Sequence, residues 1–537
     1  MGNEVKAASE RVRIARAAGL VSGLTLVSRL LGLVREVVFA ALLGASLYAD
    51  AFRIAFRIPN LLRDLFAEGA LSAAFVPTYA QALKQGRPEA FALANRVLTI
   101  LALLLGVLVV LATLFAGSIV GALAPGYAEI PGKAQLTILL TRVMMPFLPL
   151  VAFAAVAMGM LNAEERFAMP AFAPAMFNVM AIVWGIGLWA WGLPAHQVVL
   201  GWSLGTLLGG LAQFLVQAPA LRRLGWRFRP EWAPRDPGLR RMARLMAPAV
   251  VGLAAVQINL FINSRFASHE AGAVSWLDYA FRLLYLPIGL FGVALGTIAM
   301  AGLAQRAADQ DMDGLRTTLR QSVSMLAYLT IPATVGLMVL RRPIVRLLYE
   351  RGAFGPSDTE ATSAALFLYA FGLVGYTGVK VVAPAFYALH QPRAPLMASA
   401  LAVATNLTVV ALLYPRMGFR ALALGTALGA LLNASLLAVL FERRVGGTFG
   451  WGLLKVMLPM TAAAVIMGGL VAALMGVLEY GMSATGFGAR VVAGLGPVVI
   501  GVGVYAVLTH WWKVPEARDI WALVREHFRR APSKREP

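Results

Sequence analysis

Apolar runs of about 20 residues recur from Gly19 to Trp512, separated by short polar stretches. That is the length an α-helix needs to cross about 30 Å of hydrocarbon. The period-two alternation of a membrane β-barrel strand is absent. The pattern predicts an all-α polytopic membrane protein of about fourteen spans. They cover residues 19–43, 48–83, 91–121, 135–161, 170–192, 196–221, 245–267, 273–305, 321–340, 359–389, 395–414, 420–441, 453–478 and 488–512. The second and eighth are long for one crossing and are expected to tilt, kink or extend past the membrane. The first run carries internal charge and lacks a small-residue cleavage site, so it reads as a span and not as a removed signal.

Composition agrees with that pattern. Hydrophobic residues make up 59% of the chain and charged residues 14%. With the N-terminus inside, most of the 47 Lys and Arg residues fall on the cytoplasmic side, as cytoplasmic loops require. An even number of spans returns the basic tail from Lys513 to Arg535 to the same side. Arg341, Arg342, Arg346 and Arg351 are the exception; their amphipathic stretch is expected to lie along the opposite interface. The net charge of +21 therefore reflects topology and anionic headgroups, not nucleic-acid binding. The longest polar connection, Arg222 to Arg244, spans about 23 residues, far below domain size. With no cysteine, disulfides and thiolate metal sites are excluded.

A faint internal repeat runs along the chain. Residues 70–81 resemble residues 294–305, Arg57 matches Arg282, and Arg166 and Asn178 match Arg393 and Asn406, at offsets of 224 to 228. This maps spans 1–6 onto spans 7–12 in the same orientation, a parallel repeat of the kind found in rocking transporters with a central cavity. The expected organisation is an N-terminal lobe (1–222), a C-terminal lobe (240–442), two further spans (453–512) and a cytoplasmic tail (513–537).

Charge inside the spans points to chemistry. Arg29 and Arg35 lie in the first span; Arg53, Arg57, Arg63, Asp64 and Glu68 lie in the second, with Asp50 near its start; Asp278 and Arg282 lie in the eighth. A guanidinium at membrane depth is costly and cannot shed its charge, so it pairs, or faces water or a polar ligand. Arg29, Gly32 and Glu36 share one helix face, with Arg35 about 120° away. Arg53, Arg57, Asn60 and Asp64 form a stripe that Pro59 can bend. Arg53, Arg57, Asp64 and Asp278 are read first as intramembrane ion pairs. Basic residues outnumber acidic ones within the spans, so Arg29, Arg35, Arg63 and Arg282 are read as contacts to an external anion, for which a phosphate or diphosphate is suited. Arg142, Arg265 and Lys380 read as snorkelling cations at span ends, and Asn259, Asn263 and Asn406 as interhelical hydrogen bonders. Histidines lack metal-ligand spacing, and neither a P-loop nor a catalytic carboxylate cluster is present, so neither an enzyme nor a cofactor is expected.

Ser28-Arg29-Leu30-Leu31-Gly32-Leu33-Val34-Arg35-Glu36, Asp50-Ala51-Phe52, Pro59-Asn60-Leu61-Leu62-Arg63 and residues 66–77 together resemble the signature of the MurJ (MviN) lipid II flippases. Ala171-Phe172-Ala173-Pro174, Val274-Ser275-Trp276, residues 292–297 and residues 379–387 continue the resemblance over nearly the whole chain. That family has fourteen transmembrane helices and belongs to the multidrug/oligosaccharidyl-lipid/polysaccharide exporter superfamily. The resemblance implies a bacterial inner-membrane protein with both termini cytoplasmic. It implies a flippase that moves lipid II, the undecaprenyl-diphosphate disaccharide-pentapeptide, to the outer leaflet by alternating access, with cell-wall synthesis proteins as further partners. It also implies that Arg29, Arg35, Arg63 and Arg282 contact the diphosphate or sugar. Asp50, Arg57 and Glu68 match further charged positions of that family, and spans 13 and 14 would form a groove for the lipid tail. Taken together, Glu36, Asp50, Arg53, Arg57, Asp64, Glu68 and Asp278 are expected to supply cavity charge or a gate. Two positions depart from the pattern: Glu36 stands where many relatives have Asp, and Phe281 where many have Asp, with Asp278 one turn earlier. The rival readings are an exporter of another polyprenyl-diphosphate-linked polysaccharide and a non-transporting cell-wall scaffold.

Overall fold

A computed structural model describes residues 2–63, 70–481 and 487–530; side chains at 2–18, 247–256 and a few other positions are outside that description. Only helices, turns and coil occur among the described residues. The chain divides into two compact units, Met1–Ser275 with Arg351–Gly355, and Trp276–Glu350 with Pro356–Pro537.

The first unit contains α1 (Gly2–Leu43), α2 (Leu47–Arg63), α3 (Ala70–Leu83), α4 (Arg87–Leu114), α5 (Ala116–Leu123), α6 (Lys133–Met144), α7 (Phe147–Ala163), α8 (Ala168–Ala190), α9 (Ala195–Leu215), α10 (Ala218–Arg223) and α11 (Pro237–Ala267). Its core gathers Phe75 and Tyr79 of α3, Leu93 and Leu98 of α4, and Phe147 and Met160 of α7. Helix α4 follows Gly86 (φ 131°) and has proline in its first turn, and α11 is capped by Asp236, whose carboxylate accepts from the Leu239 N–H at 3.1 Å. Without hydrocarbon-excluding water to press them together, membrane helices associate through close packing. The pair α8 and α9 shows this: a Cβ at Gly205 would lie 2.5 Å from Trp184, whose indole donates to the Gly201 carbonyl at 2.7 Å. The units divide one helix later than the repeat boundary expected between 222 and 240, because α11 packs on α3, α4 and α5.

The second unit contains most of α12 (Ala273–Pro287), then α13 (Ala294–Ala308), α14 (Met312–Val339), α15 (Arg341–Tyr349), α16 (Pro356–Phe371), α17 (Leu373–Ala388), α18 (Arg393–Met417), α19 (Phe419–Val445), α20 (Trp451–Gly481), α21 (Phe487–Trp511) and α22 (Pro515–Arg530). One core cluster joins α13, α14, α17, α18 and α19; another joins α14, α20 and α21. The expected basic stretch is a short helix, α15, that buries Val345, Leu347 and Tyr349. Its arginines are balanced locally: Arg342 pairs with Glu360 at 2.7 Å, Arg346 with Glu350 at 3.2 Å, and Arg341 sits over the Phe367 ring at 4.8 Å.

Among the described residues, 10 helical segments are long and apolar enough to cross a membrane, or up to 11 if the bent pair α16 and α17 is one span. The expected spans outside that set are the first, second and seventh. The first two carry arginines, and the seventh includes residues 247–256. Of the two long spans, the second includes α2 and α3, with residues 64–69 outside the described residues; the eighth runs on from α12 through a π-helical turn at Ile288–Val293, directly after Pro287, into α13.

Two glycines in the first unit need their missing side chains. Gly44 and Gly352 both have φ +58°, and a Cβ on either would lie 2.3 Å from the Ala353 oxygen or 2.2 Å from the Ala41 oxygen. The Ala353 N–H donates to that Ala41 carbonyl at 2.8 Å. A Gly44→Ala substitution therefore meets both the left-handed penalty of about 1–2 kcal/mol and a backbone collision. It is expected to lower the unfolding temperature in detergent by several degrees. Gly106→Ala, in α4 with open space at its Cβ, is expected to leave it unchanged or raise it.

Candidate functional site

The membrane-depth charges of the first unit are set by α1 and α2. At 1.5 Å per residue, Arg35 lies about 12 Å and Arg29 about 21 Å along α1 from its end at Leu43. Glu36 is buried and joins the helices: its carboxylate accepts from Arg35 at 2.8 Å and from Arg53 of α2 at 3.5 Å. Each of these guanidinium groups also stands over an aromatic ring at 5.0 Å, Arg35 over Phe177 and Arg53 over Phe39. Desolvated cation–π contacts of this kind reach about 2 kcal/mol. Glu36 is thus fully engaged, and the ion-pair reading of Arg53 has a partner in Glu36.

Arg57, one turn on, donates to the hydroxyl of Ser264 in α11. Asn178 of α8 donates to the Ser28 carbonyl at 3.0 Å and lies 3.7 Å from where a Gly32 Cβ would be, so Gly32 admits a neighbouring helix side chain. Arg29, on the same face, is exposed and forms no ion pair or hydrogen bond among the described residues. Arg63 ends α2 partly buried. Asp64 and Glu68 lie outside the described residues. In the second unit, Arg282 and Asp278 approach at 3.7 Å, one turn apart on α12 and both partly exposed. Asn406 accepts from Thr426 of α19 at 3.5 Å, an interhelical contact as expected.

Asp50 has a partner that the sequence did not suggest. It is fully buried and pairs at 2.8 Å with Lys133, which is fully buried too. The same carboxylate accepts from the Gly272 N–H at 2.9 Å, the Ser275 N–H at 3.0 Å and the Ser275 hydroxyl at 2.7 Å, at the start of α12. Lys133 opens α6 behind Gly132, which is left-handed at φ 76°, and its ammonium lies 4.0 Å from the centre of the Tyr127 ring. The Tyr127 hydroxyl donates to the Asp50 backbone carbonyl at 3.2 Å. Burial, then the Asp50 carboxylate, push that phenol well above its usual range, so it stays a donor. One sequence signal was available: a Lys behind a glycine at the start of a predominantly apolar span has to find a carboxylate if it is buried.

Removing one partner of such a pair strands the other charge. Lys133→Ala is expected to cost about 3–5 kcal/mol of stability, and the double substitution Lys133→Met/Asp50→Leu substantially less. Thermal unfolding of the purified variants checks this; equal loss in both would mean that the ion pair itself stabilises.

The profile of the family described as "Lipid II flippase MurJ" matches residues 39–490. A "Probable lipid II flippase MurJ" of Vibrio cholerae is 38% identical over 436 residues, 79% of this chain and 82% of that protein. A "Lipid II flippase MurJ" of Burkholderia cenocepacia is 36% identical over 466 residues, 85% of this chain and 89% of that one. A solved structure titled "Lipid II flippase MurJ, inward closed conformation" superposes with a TM-score of 0.75 at 25% identity, covering 92% of this chain and 99% of that one. The fold is shared more widely: an inward-facing multidrug resistance MATE family transporter of the MOP superfamily gives a TM-score of 0.63 at 17% identity over 82% of this chain. A membrane architecture that is helical among the described residues, a profile spanning most of the length and relatives alike over about four-fifths of the chain agree, and the chain belongs to the lipid II flippase MurJ family.

Proposed function

We propose that this protein moves lipid II from the inner to the outer leaflet of the bacterial cytoplasmic membrane by alternating access, across about fourteen spans with both termini cytoplasmic. The observation that carries this reading is the charge balance around Arg29. In the first unit Glu36 is taken by Arg35 and Arg53, and Asp50 by Lys133, whereas Arg29 stands about 21 Å back along α1 from Leu43, exposed and with no acidic partner among the described residues. An uncompensated guanidinium at that depth calls for an anion from outside the chain, and a diphosphate accepts its paired N–H groups. Arg29, Arg35, Arg63 and Arg282 are the proposed contacts to diphosphate and sugar. Glu36, Asp50, Arg53, Arg57, Asp64, Glu68 and Asp278 hold or gate the cavity.

The six-span halves, 1–222 and 240–442, rock about that site while the residues from 453 to 512 guide the polyprenyl tail. The headgroup crosses through a polar path and the tail stays in hydrocarbon, which avoids the desolvation cost of carrying a charged sugar-peptide through lipid. Binding and release are the only steps; no covalent bond changes. Cell-wall synthesis proteins would receive the product.

The test is lipid II binding and translocation in liposomes. Arg29→Ala and Arg282→Ala are expected to weaken binding about ten- to hundredfold, the worth of one or two charge-assisted hydrogen bonds, with a neutral polyprenol unaffected. Variants that insert normally and still translocate at the full rate would sink the proposal in favour of a scaffold. Topology has its own check, since the chain contains no cysteine. A single cysteine at Pro234 should react only from the cytoplasmic side, and one at Ser357 only from outside.

A further inference from the structure

The first unit contains a cavity of about 720 Å3 that the flippase reading does not use. Its volume falls in the ~300–1,000 Å3 range of small-molecule sites. Leu98 of α4, Phe153 of α7 and Phe214 of α9 give it apolar walls, and Arg222, Trp226 and Arg227 come from the polar segment that follows α9. Trp226 is buried and its indole N–H is already spent on Asn95 Oδ1 at 3.2 Å, so its ring is the part left for the cavity. Leu215 lines the cavity and is also 53% exposed, so the cavity opens on the flank of α9 and is not sealed inside the bundle.

The sign of charge at the mouth follows from where the neighbouring acids go. Glu231 and Asp236, the carboxylates of the same connection, both turn to Arg96 of α4, at 3.3 and 2.8 Å. The other oxygen of Asp236 caps α11. Arg222 and Arg227 are both exposed and form no ion pair among the described residues. Apolar walls ending in two uncompensated guanidinium groups complement an amphiphile with a phosphate head.

We propose that this cavity binds an anionic phospholipid from the leaflet facing the Arg222–Arg244 connection. An acyl chain lies along Leu98, Phe153 and Phe214, and the phosphate sits between Arg222 and Arg227. Such a lipid would tie the segment after α9 to the helices it caps. The site is separate from the arginines proposed for lipid II, so its test needs neither lipid II nor transport.

The experiment measures phosphatidylglycerol binding by the delipidated full-length protein in non-ionic detergent, using native mass spectrometry, with phosphatidylcholine of the same chains as comparison. The wild type is expected to prefer phosphatidylglycerol. The double variant Arg222→Gln/Arg227→Gln should lose about 30-fold in that affinity, at about a kcal/mol per cation. Ala218→Trp, which fills the cavity, should weaken both lipids, and Arg416→Gln/Arg420→Gln, a pair of exposed arginines elsewhere, should change nothing. If Ala218→Trp does not fold, the two glutamine pairs still decide the matter. Equal binding by all variants, an equal loss in the control pair, no headgroup preference in the wild type, or displacement of the lipid by millimolar inorganic phosphate would each overturn the assignment.

Discussion

A carboxylate and an ammonium with no exposed surface between them fix the first unit. Neither Asp50 nor Lys133 can move without leaving a bare charge in a low-dielectric interior, so the pair behaves as a rivet between α2 and α6. The two Asp50 oxygens also receive the Gly272 and Ser275 donors, which pins the start of α12 to the same point. One turn farther along α2, Arg53 reaches Glu36, so the placement of α1 is referred to the same helix. Three elements far apart in sequence thus take their positions from the charges of α2, in surroundings where apolar side chains gain little by preferring one another to lipid.

Much of this was legible in the sequence. Span lengths announced that the second and eighth spans exceed one straight crossing, and the excess of arginine over carboxylate within the spans announced that some cation would be left over. What the sequence could not supply is who pairs with whom. Asp50 and Lys133 are 83 residues apart, and nothing local links them, because the pairing exists only once α6 has packed on α2. Glu36, expected to share a helix face with Arg29, turns to Arg35 and Arg53, since a carboxylate with two guanidinium groups in reach is better solvated by both than by one. The left-handed Gly44 and Gly352 were equally hidden: each is demanded by the backbone of the other's segment, not by its own neighbours.

Family membership and local chemistry answer different questions. The fold is common to transporters with unrelated cargo, as the superposition on a MATE family member at 17% identity makes plain, so architecture alone does not choose a substrate. The choice rests on which charges stay uncompensated after the protein has satisfied itself. Among the described residues of the first unit, the buried acids Glu36 and Asp50 are committed to nearby cations.

The π-turn at Ile288–Val293 bears on mechanics. Pro287 has no N–H to donate back along α12, and the wider turn after it leaves the hydrogen-bond ladder locally loose. Bending compliance in that span is therefore concentrated in six residues, while α4, with proline only in its first turn, keeps an α-helical ladder over its 28 residues. A load applied to α13 flexes the joint before it reaches α12 and Arg282, so the cation is mechanically insulated from movements at the far end of its own span.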